Sequence, residues 1–190
     1  EAMFALVTSA NVACGFHAGD DVSMRASVDR AARLGVAIGA HPSYDDREHF
    51  GRRDLEPALD ELRAGLTRQF AALRQAGADI RYVKPHGALY NRIVHDQVQA
   101  EAVVAAVVHL ADELGRPIPL LGLGGAVEAA TSAAGVPFVR EAFLDRGYMP
   151  DGTLVPRDHP GAVLDSAEHV AARAVRLAND GVVEAIDGTL

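Results

Sequence analysis

Cysteine is nearly absent from this sequence of 190 residues, in which Cys14 is the single example. One cysteine excludes an intrachain disulfide, and such sparse use is typical of the reducing cytoplasm, where we expect this protein to reside. Cys14 precedes a glycine at the end of a predicted strand, where a thiol most often serves as a small buried residue. The alternative, a nucleophile assisted by the nearby His17, stays open.

Basic residues are also scarce, because 18 lysines and arginines stand against 26 aspartates and glutamates and give a formal net charge of -8. A nucleic-acid partner is therefore not expected, since phosphate binding relies on clustered lysine and arginine. Long apolar runs are missing as well. The longest, residues 102–110, is interrupted by His109 and is too short to span a bilayer, so no membrane segment is predicted.

The sequence contains no recognisable internal repeat, low-complexity tract or linker. With 49% hydrophobic and 23% charged residues, it has a globular composition and enough length for one substantial core. It therefore predicts a single domain over residues 1–190. Because the sequence begins at Glu1, without a methionine or a charged-then-apolar leader, we expect a fragment or a trimmed chain.

Apolar segments of strand length alternate with amphipathic segments that carry helix caps at both ends. This alternation predicts an α/β protein with a parallel sheet and right-handed crossovers, either closed as a barrel or open as a doubly wound layer. A long polar loop is predicted from residue 142 to about 161. Strands are predicted at 36–40, 81–84, 119–121, 137–140 and 182–186. Five helices are predicted, each between a start signal and a stop signal. The pairs of signals lie at 20–21 and 35; at 57 and 77; at 97 and 115; at 125 and 135; and at 166 and 181.

Three predicted strand ends each deliver a histidine, namely His17, His41 and His86. The carboxyl ends of parallel strands meet at one edge, so these imidazoles are predicted to share a catalytic site. Asp20 joins them as a carboxylate that can orient an imidazole. Lys84 joins them because a lysine at the end of a buried strand is costly unless its ammonium faces a polar cavity. An alternative for this lysine, extension to solvent or pairing with a carboxylate, stays open.

Other polar residues are candidates for substrate binding: Asn11, Tyr90, Asp145 and Arg146. The planar guanidinium of Arg146 can clamp an anionic substrate, whereas an Arg and Asp pair that holds its own loop is the alternative. The loop 43–54 carries charges of both signs and is long enough to form a flap over a cleft.

A glycine-rich turn formed by Gly122, Gly124 and Gly125 follows a predicted strand and precedes a helix. It is a weak candidate for a cofactor site, because Val127 stands where a dinucleotide fingerprint needs a third glycine. Exposed amides at the start of a helix can still bind a phosphate or a carboxylate. A tight turn with close helix packing is the alternative.

Imidazole and carboxylate groups are also ordinary ligands for zinc or manganese. The sequence has no HExxH motif and no paired cysteines, so a site without a metal ion is the main prediction. A divalent ion held by His17, His41 and His86 is the alternative. A Walker-type GxxxxGK[ST] loop does not occur in the sequence either.

Motifs in four regions together resemble the LamB/YcsF family over nearly the whole chain. They read SANVACGFHAGD at 9–20, GVAIGAHPS at 35–43, VKPHGALYN at 83–91, and DRGY at 145–148 with DGTLVPR at 151–157. The resemblance implies an irregular or incomplete (β/α) barrel of parallel strands with outer helices, related to the seven-stranded barrel of polysaccharide deacetylases. It also implies that the family's acidic first strand and its C-terminal segment lie outside this chain.

The activity implied by the resemblance is the ATP-dependent hydrolytic opening of 5-oxoproline to glutamate, with Mg²⁺ and ATP and with two partner subunits, B and C. In that reaction Lys84 and Arg146 would stabilise charge that develops on oxygens, while the histidines, oriented by Asp20 and Asn11, would move protons. Two alternatives stay open: a metal-dependent deacetylase or amidohydrolase without ATP, and a non-catalytic substrate-binding subunit. A homo-oligomer stays open too.

Overall fold

Strands and helices alternate along a computed structural model that describes residues 2–189. Within these residues the chain divides into two compact units, with the boundary between Arg140 and Glu141. The single domain expected over residues 1–190 stays a prediction.

All of the strands in residues 2–189 belong to the first unit, which also contains five of the six α-helices. A short 3₁₀ helix, Ala2–Ala5, comes first. The strands are β1 (Ser9–Ala13), β2 (Ala37–His41), β3 (Ile80–Val83), β4 (Leu120–Gly122) and β5 (Phe138–Arg140). The helices are α1 (Asp21–Leu34), α2 (Leu59–Gln75), α3 (Gly87–Arg92), α4 (Gln97–Leu114), α5 (Ala126–Ala134) and, in the second unit, α6 (Ala167–Asp180).

The sheet has its strands in chain order, β1-β2-β3-β4-β5, and every neighbouring pair is parallel. A doubly wound sheet reverses its order at a switch point, whereas the wall of a (β/α) barrel keeps chain order. The α/β fold predicted from the sequence is therefore confirmed, and its strand order is that of a barrel wall. All five carboxyl ends lie at the same edge of this sheet.

The two faces of the sheet differ in burial because side chains alternate along each strand. On one face Val12, Ala40, Val83 and Leu120 form a continuous row of buried residues in register. This row belongs to the main hydrophobic core, together with apolar residues of the helices: Leu66, Phe70, Leu73, Val103, Val107 and Leu110. The helices therefore cover this face.

On the opposite face, Asn11, Gly39 and Tyr82 are in register across β1, β2 and β3. A Cβ atom on Gly39 would lie only 2.0 Å from Cε2 of Tyr82, so the tyrosine ring occupies the space above the glycine. This packing explains why the middle of β2 has no side chain.

Helix α1 follows its sequence signals closely. Asp20 accepts a hydrogen bond from the Ser23 amide, and the Ser23 side chain accepts one from the Asp20 amide, which completes a capping box. Gly35 ends the helix in the left-handed conformation, as glycine readily can. Helix α4 likewise runs from the Asp96 cap to Gly115. The bounds predicted for both helices are confirmed.

Two elements differ from the prediction. Helix α3, which has six residues, follows β3 directly, where the sequence predicted no helix. The strand predicted at 182–186 was wrong, because this segment has no regular structure. Its amides bond within the second unit, from Ala185 to the Thr189 carbonyl and from Ile186 to the Tyr148 carbonyl.

The second unit is built on a folded loop and helix α6. Two isolated antiparallel bridges, Arg146 with Val163 and Tyr148 with Leu154, hold the loop that the sequence predicted between 142 and about 161. The Ser166 side chain caps α6 through the His169 amide. Among the helices in residues 2–189, none has the length and apolar content needed to cross a membrane.

Candidate active site

Loops at the carboxyl ends of β1, β2 and β3 bring three histidines together. His41 is the last residue of β2, His86 precedes α3, and His17 lies in the loop between β1 and α1. One ring nitrogen of each lies within 4.8 Å of one ring nitrogen of each of the others. We refer to His17, His41 and His86 as the histidine cluster. The structure thus brings these three side chains together, and their shared role in catalysis stays a prediction.

The rings of the cluster pack directly on one another. His17 and His86 are stacked, with ring centroids 3.9 Å apart and an interplanar angle of 8°. His41 meets His86 edge-on at 4.9 Å, and its Nε2 lies 3.0 Å from Nδ1 of His86. The Phe50 ring contacts both His17 and His86 edge-on, at 5.4 and 5.2 Å. The cluster is therefore a single packed group of rings.

Each histidine also bonds outward through its other ring nitrogen. His41 Nδ1 lies 2.6 Å from the Lys84 carbonyl and His86 Nε2 lies 2.9 Å from the Phe50 carbonyl. Because a carbonyl oxygen only accepts, both nitrogens must carry a proton. His17 Nδ1 lies 2.9 Å from Ser43 Oγ, whose own proton goes to the Tyr44 carbonyl. Ser43 therefore accepts from His17, and the protein fixes where each imidazole holds a proton.

Burial makes the imidazoles of His17 and His41 weak bases. It lowers the pKa of His17 to about 4, with further contributions from the charges of His86, Arg47 and Arg52. Burial also lowers the pKa of His41 to about 3, although its hydrogen bond to the Lys84 carbonyl opposes the shift. At neutral pH both rings are therefore uncharged, each with one nitrogen lone pair.

A family model, the LamB/YcsF family, matches residues 1–190. The chain belongs to the LamB/YcsF family. A Streptomyces coelicolor protein named as the A subunit of 5-oxoprolinase is 52% identical over 194 residues, which cover 100% of this chain and 76% of that protein. An Agrobacterium fabrum protein of the same name, numbered 1, is 48% identical over 195 residues, covering 100% and 75%. A crystal structure of a lactam utilization protein from Thermus thermophilus superposes with a TM-score of 0.88 at 39% identity, covering 97% of this chain and 75% of that one.

In this LamB/YcsF member, a pair of buried polar residues positions His17. Gln69 of α2 accepts a hydrogen bond from the Ser43 amide at 3.0 Å and donates one to the Ser43 carbonyl at 2.9 Å. Both side chains are buried. Sequence reasoning assigned no role to either residue. The one feature of the sequence that could have indicated this role is the position of Gln69. It is a polar residue on the apolar face of α2, which also carries Leu66 and Leu73.

The loop 43–54, predicted as a flap, lies against the histidine cluster. Arg47 ties it to the loop after β1 by donating to the Gly15 and Gly19 carbonyls, both at 2.9 Å. At its other end, the Gly51 carbonyl accepts from the Ala88 amide of α3 at 2.9 Å. Phe50 adopts a positive φ of 56° at the tip, and its ring covers two of the histidines.

The buried carboxylate of Asp46 holds this loop in shape. It accepts hydrogen bonds from His49 Nδ1 at 2.9 Å and from the Arg53 amide at 3.2 Å. Burial by itself raises the pKa of Asp46, but these bonds and the charges of His49 and Arg53 outweigh it and hold the pKa below its usual 3.8. The carboxylate is therefore charged in the folded protein.

The Asp46→Asn variant is expected to be less stable than the natural chain at pH 7, with a difference that shrinks in acid. A depressed pKa in the folded state stabilises the fold above the unfolded pKa, and this contribution is lost as pH falls through the folded value. Urea unfolding at pH 7 and at successive values below 4 measures the difference. Asp45→Asn, at the exposed neighbouring position, is the matched control. A gap between variant and natural chain that stays constant over this range would contradict the assignment.

Lys84 lies beside the cluster and is half-buried. Its carbonyl holds His41, and its ammonium charge contributes to the low pKa of His41. The Nζ atom lies 5.8 Å from the ring centroid of Tyr90, another predicted site residue. Lys84 and Tyr90 are thus neighbours, the ammonium acts electrostatically on His41, and a role of Lys84 in the reaction stays a prediction.

Two predicted residues of the first unit have other surroundings. Asp20 is exposed, and its carboxylate accepts from the amide and hydroxyl of Ser23 at the start of α1. These contacts make it a helix cap, and an orienting role toward a histidine stays a prediction. Asn11 is an exposed residue in the middle of β1, and its role in substrate binding also stays a prediction.

In the glycine-rich turn after β4, the backbone amides at the start of α5 donate hydrogen bonds to carbonyls of the protein itself. The Ala126 and Val127 amides donate to the Val94 and Ile93 carbonyls at 2.8 and 3.0 Å. A Cβ on Gly125 would lie 2.3 Å from the Val94 carbonyl oxygen, so close packing requires the glycine. This geometry favours the packing interpretation of Gly122, Gly124 and Gly125 over an anion site.

Asp145 and Arg146 belong to the second unit. Arg146 is buried, and its guanidinium donates to the Ala162 carbonyl at 2.8 Å and the Val155 carbonyl at 2.7 Å. Asp145 is exposed, and its carbonyl accepts from the Leu164 amide. These hydrogen bonds to backbone carbonyls hold the loop of this unit. The alternative considered in the sequence analysis was an ion pair between Arg146 and Asp145. Substrate binding by either residue stays a prediction.

Cys14 is buried, and its thiol donates to the Val12 carbonyl at 3.3 Å. Burial raises its pKa to about 12, although a hydrogen bond with the His41 backbone lowers it somewhat. A thiol is a nucleophile only as the thiolate. The structural interpretation of this cysteine is therefore the one that its surroundings support.

Proposed function

We propose that this chain is the A subunit of a cytoplasmic 5-oxoprolinase, which opens 5-oxo-L-proline to L-glutamate by ATP-dependent hydrolysis together with 5-oxoprolinase subunits B and C. The observation that carries the proposal is about 50% identity, along the whole chain, to curated proteins with that name. The Thermus thermophilus relative is described as a lactam utilization protein, which supports the same substrate class, since 5-oxoproline is a lactam.

The histidine cluster supports hydrolysis chemically. A lactam amide is stabilised by resonance and is a poor electrophile, so water attacks it only with help at both reacting ends. Uncharged imidazoles can take a proton from the attacking water, and which of His17, His41 and His86 does so stays open. The Lys84 ammonium can stabilise negative charge that develops on an oxygen beside the cluster.

A cleft near Ser43 has room for a small substrate, although its lining includes neither Lys84 nor any histidine of the cluster. Its volume is about 610 Å³, and its lining includes Phe16, Ser43, Tyr44 and Arg68. Such a volume is in the usual range for small-molecule sites. Ser43 links the cleft to His17 through their hydrogen bond. Asn11, Tyr90, Asp145 and Arg146 remain candidates for contacts with the substrate.

We propose that the complex uses ATP with Mg²⁺ and that these are shared with the partner subunits; which subunit holds the nucleotide stays open. In the described residues, the glycine-rich turn does not fit a phosphate, because the Ala126 and Val127 amides already donate to backbone carbonyls. The sequence also has no Walker-type loop. ATP supplies the activation of the lactam oxygen in the complex, while this chain provides the site where water attacks.

Reconstitution tests the function directly. The purified chain is mixed with subunits B and C, ATP, Mg²⁺ and labelled 5-oxoproline, and glutamate is measured by mass spectrometry. Glutamate should appear only when all three subunits and ATP are present. Release without ATP would favour a metal-dependent amidohydrolase instead, and binding of the lactam without turnover would favour a non-catalytic subunit. The Streptomyces coelicolor relative, assayed in parallel, controls for the activity of the partners.

Lys84→Met in the same complex is expected to lower kcat about 100-fold, because removing one electrostatic contact to developing charge typically costs 10²- to 10³-fold. Methionine keeps the apolar stem and removes only the charge, so packing against Tyr90 is retained. Lys84→Arg, which keeps a cation, should retain more activity than Lys84→Met. Equal kcat values for Lys84→Met, Lys84→Ala and the natural chain would remove this lysine from the mechanism.

A further inference from the structure

Outward hydrogen bonds fix a proton on one nitrogen of each ring in the histidine cluster. His41 Nδ1 and His86 Nε2 donate to backbone carbonyls, and His17 Nδ1 donates to Ser43 Oγ. In an uncharged imidazole the second nitrogen then carries a lone pair. These nitrogens are Nε2 of His17, Nε2 of His41 and Nδ1 of His86.

Two of these lone-pair nitrogens face each other across a short distance. His41 Nε2 and His86 Nδ1 are 3.0 Å apart, and the proton of each ring is already held by the Lys84 or Phe50 carbonyl. Where neither of the two nitrogens carries a proton, their lone pairs repel at this distance. The arrangement is favourable only when a cation, either an additional proton or a metal ion, lies between them.

We propose that the histidine cluster binds one divalent transition-metal ion of the zinc type through His17, His41 and His86. Two nitrogens bound to one tetrahedral zinc ion at 2.0–2.1 Å lie about 3.3 Å apart. The 3.0 Å between His41 and His86 is close to that separation, and one ring nitrogen of each histidine lies within 4.8 Å of one ring nitrogen of each of the others. Because the His17 ring is stacked parallel on His86 and an imidazole binds an ion in its ring plane, His17 must also turn out of this stack to complete the set.

The outer partners of the rings support a metal over a proton. A histidine that binds a metal almost always donates its other N–H to a carbonyl, a carboxylate or a similar group, which fixes the tautomer. All three rings of the cluster have such a partner. A proton shared between His41 and His86 would involve only those two rings, so it would not explain why the tautomer of His17 is fixed as well. Three imidazoles are also the ligand set of zinc sites that keep a fourth position open.

The open position indicates what the ion would do. It would hold a water or the lactam oxygen beside Lys84 and polarise it. This role rests on the proposed function, but metal binding does not, so the two can fail separately. Loss of turnover with the metal still bound would count against the reaction alone.

Binding is measured on the full chain after removal of metals with a chelator. Zn²⁺ is titrated by calorimetry, and Co²⁺ is titrated as a coloured probe of tetrahedral coordination. We expect one equivalent of either ion, an intense visible Co²⁺ spectrum and a higher Tm with Zn²⁺. His41→Ala and His86→Ala should abolish the Co²⁺ spectrum. Ser43→Ala, which removes only the outer partner of His17, should weaken binding about 10- to 100-fold.

His109→Ala is the matched control, because this exposed histidine on α4 lies outside the cluster. It should bind one equivalent like the natural chain. Circular dichroism of each metal-free variant separates lost binding from lost folding. The proposal is overturned if the folded natural chain binds no Zn²⁺ or Co²⁺, or if the His41 and His86 variants bind as well as His109→Ala. Nitrogen NMR that finds a proton shared between His41 and His86 in the presence of Zn²⁺ would also overturn it.

Discussion

The complete three-subunit complex that carries His86→Ala is expected to release glutamate at about one hundredth of the normal rate or less, since a positioned acid–base group typically contributes 10²- to 10⁴-fold. His86 is the central ring of the cluster. It stacks on His17, its Nδ1 lies 3.0 Å from Nε2 of His41, and its Nε2 donates to the Phe50 carbonyl, so its loss disturbs every contact there. The rate of ATP-dependent glutamate release at saturating 5-oxoproline is the measurement.

His109→Ala serves again as the matched control, and its rate should equal that of the natural chain. Thermal unfolding should show that His86→Ala still folds, since His86 is only partly buried and lies outside the hydrophobic core. An undiminished rate would exclude His86 from the reaction and would weaken the assignment of the whole cluster.

Gly87→Ala is expected to lower the free energy of unfolding by about 3 kcal/mol, which is in the range of substitutions that strain the backbone and create a clash. Gly87 has a φ of +61°, and a Cβ there would lie 2.3 Å from the Gly51 carbonyl oxygen. That carbonyl anchors the loop 43–54 to α3 through the Ala88 amide. The substitution should therefore also detach the loop from the cluster and reduce activity. Urea unfolding measures the stability.

Gly115→Ala isolates the contribution of the clash. Gly115 has nearly the same φ of +64°, but no atom lies within 4 Å of the position that a Cβ would take, so only the left-handed conformation costs energy. That cost is about 1–2 kcal/mol. Equal destabilisation by the two substitutions would mean that the Gly51 contact does not constrain the loop.

The sequence predicted the parts of the fold that local signals determine. Caps at Asp20 and Gly35 specify α1, because side-chain and glycine conformations at helix ends act within a few residues. The meeting of His17, His41 and His86 was predictable too, since the carboxyl ends of parallel strands share one edge.

Other features depend on contacts between residues distant in sequence, which local patterns do not contain. Ser43 and Gln69 are 26 residues apart, and only the packing of α2 brings them together. Helix α3 is too short for its periodicity to be recognised. The segment 182–186 has strand-like composition, yet it makes backbone hydrogen bonds to Tyr148 and Thr189 instead of joining a sheet.

The chain-order arrangement of β1 to β5 has a consequence for synthesis on the ribosome. Each strand pairs with the one made just before it, so every new strand–helix repeat meets its neighbour as soon as it emerges. Among β1 to β5, each of the pairings between neighbours forms without waiting for a strand encoded much later. The strands β1 to β5 can therefore pair one after another as they emerge, which limits the time in which unpaired edges between them invite aggregation.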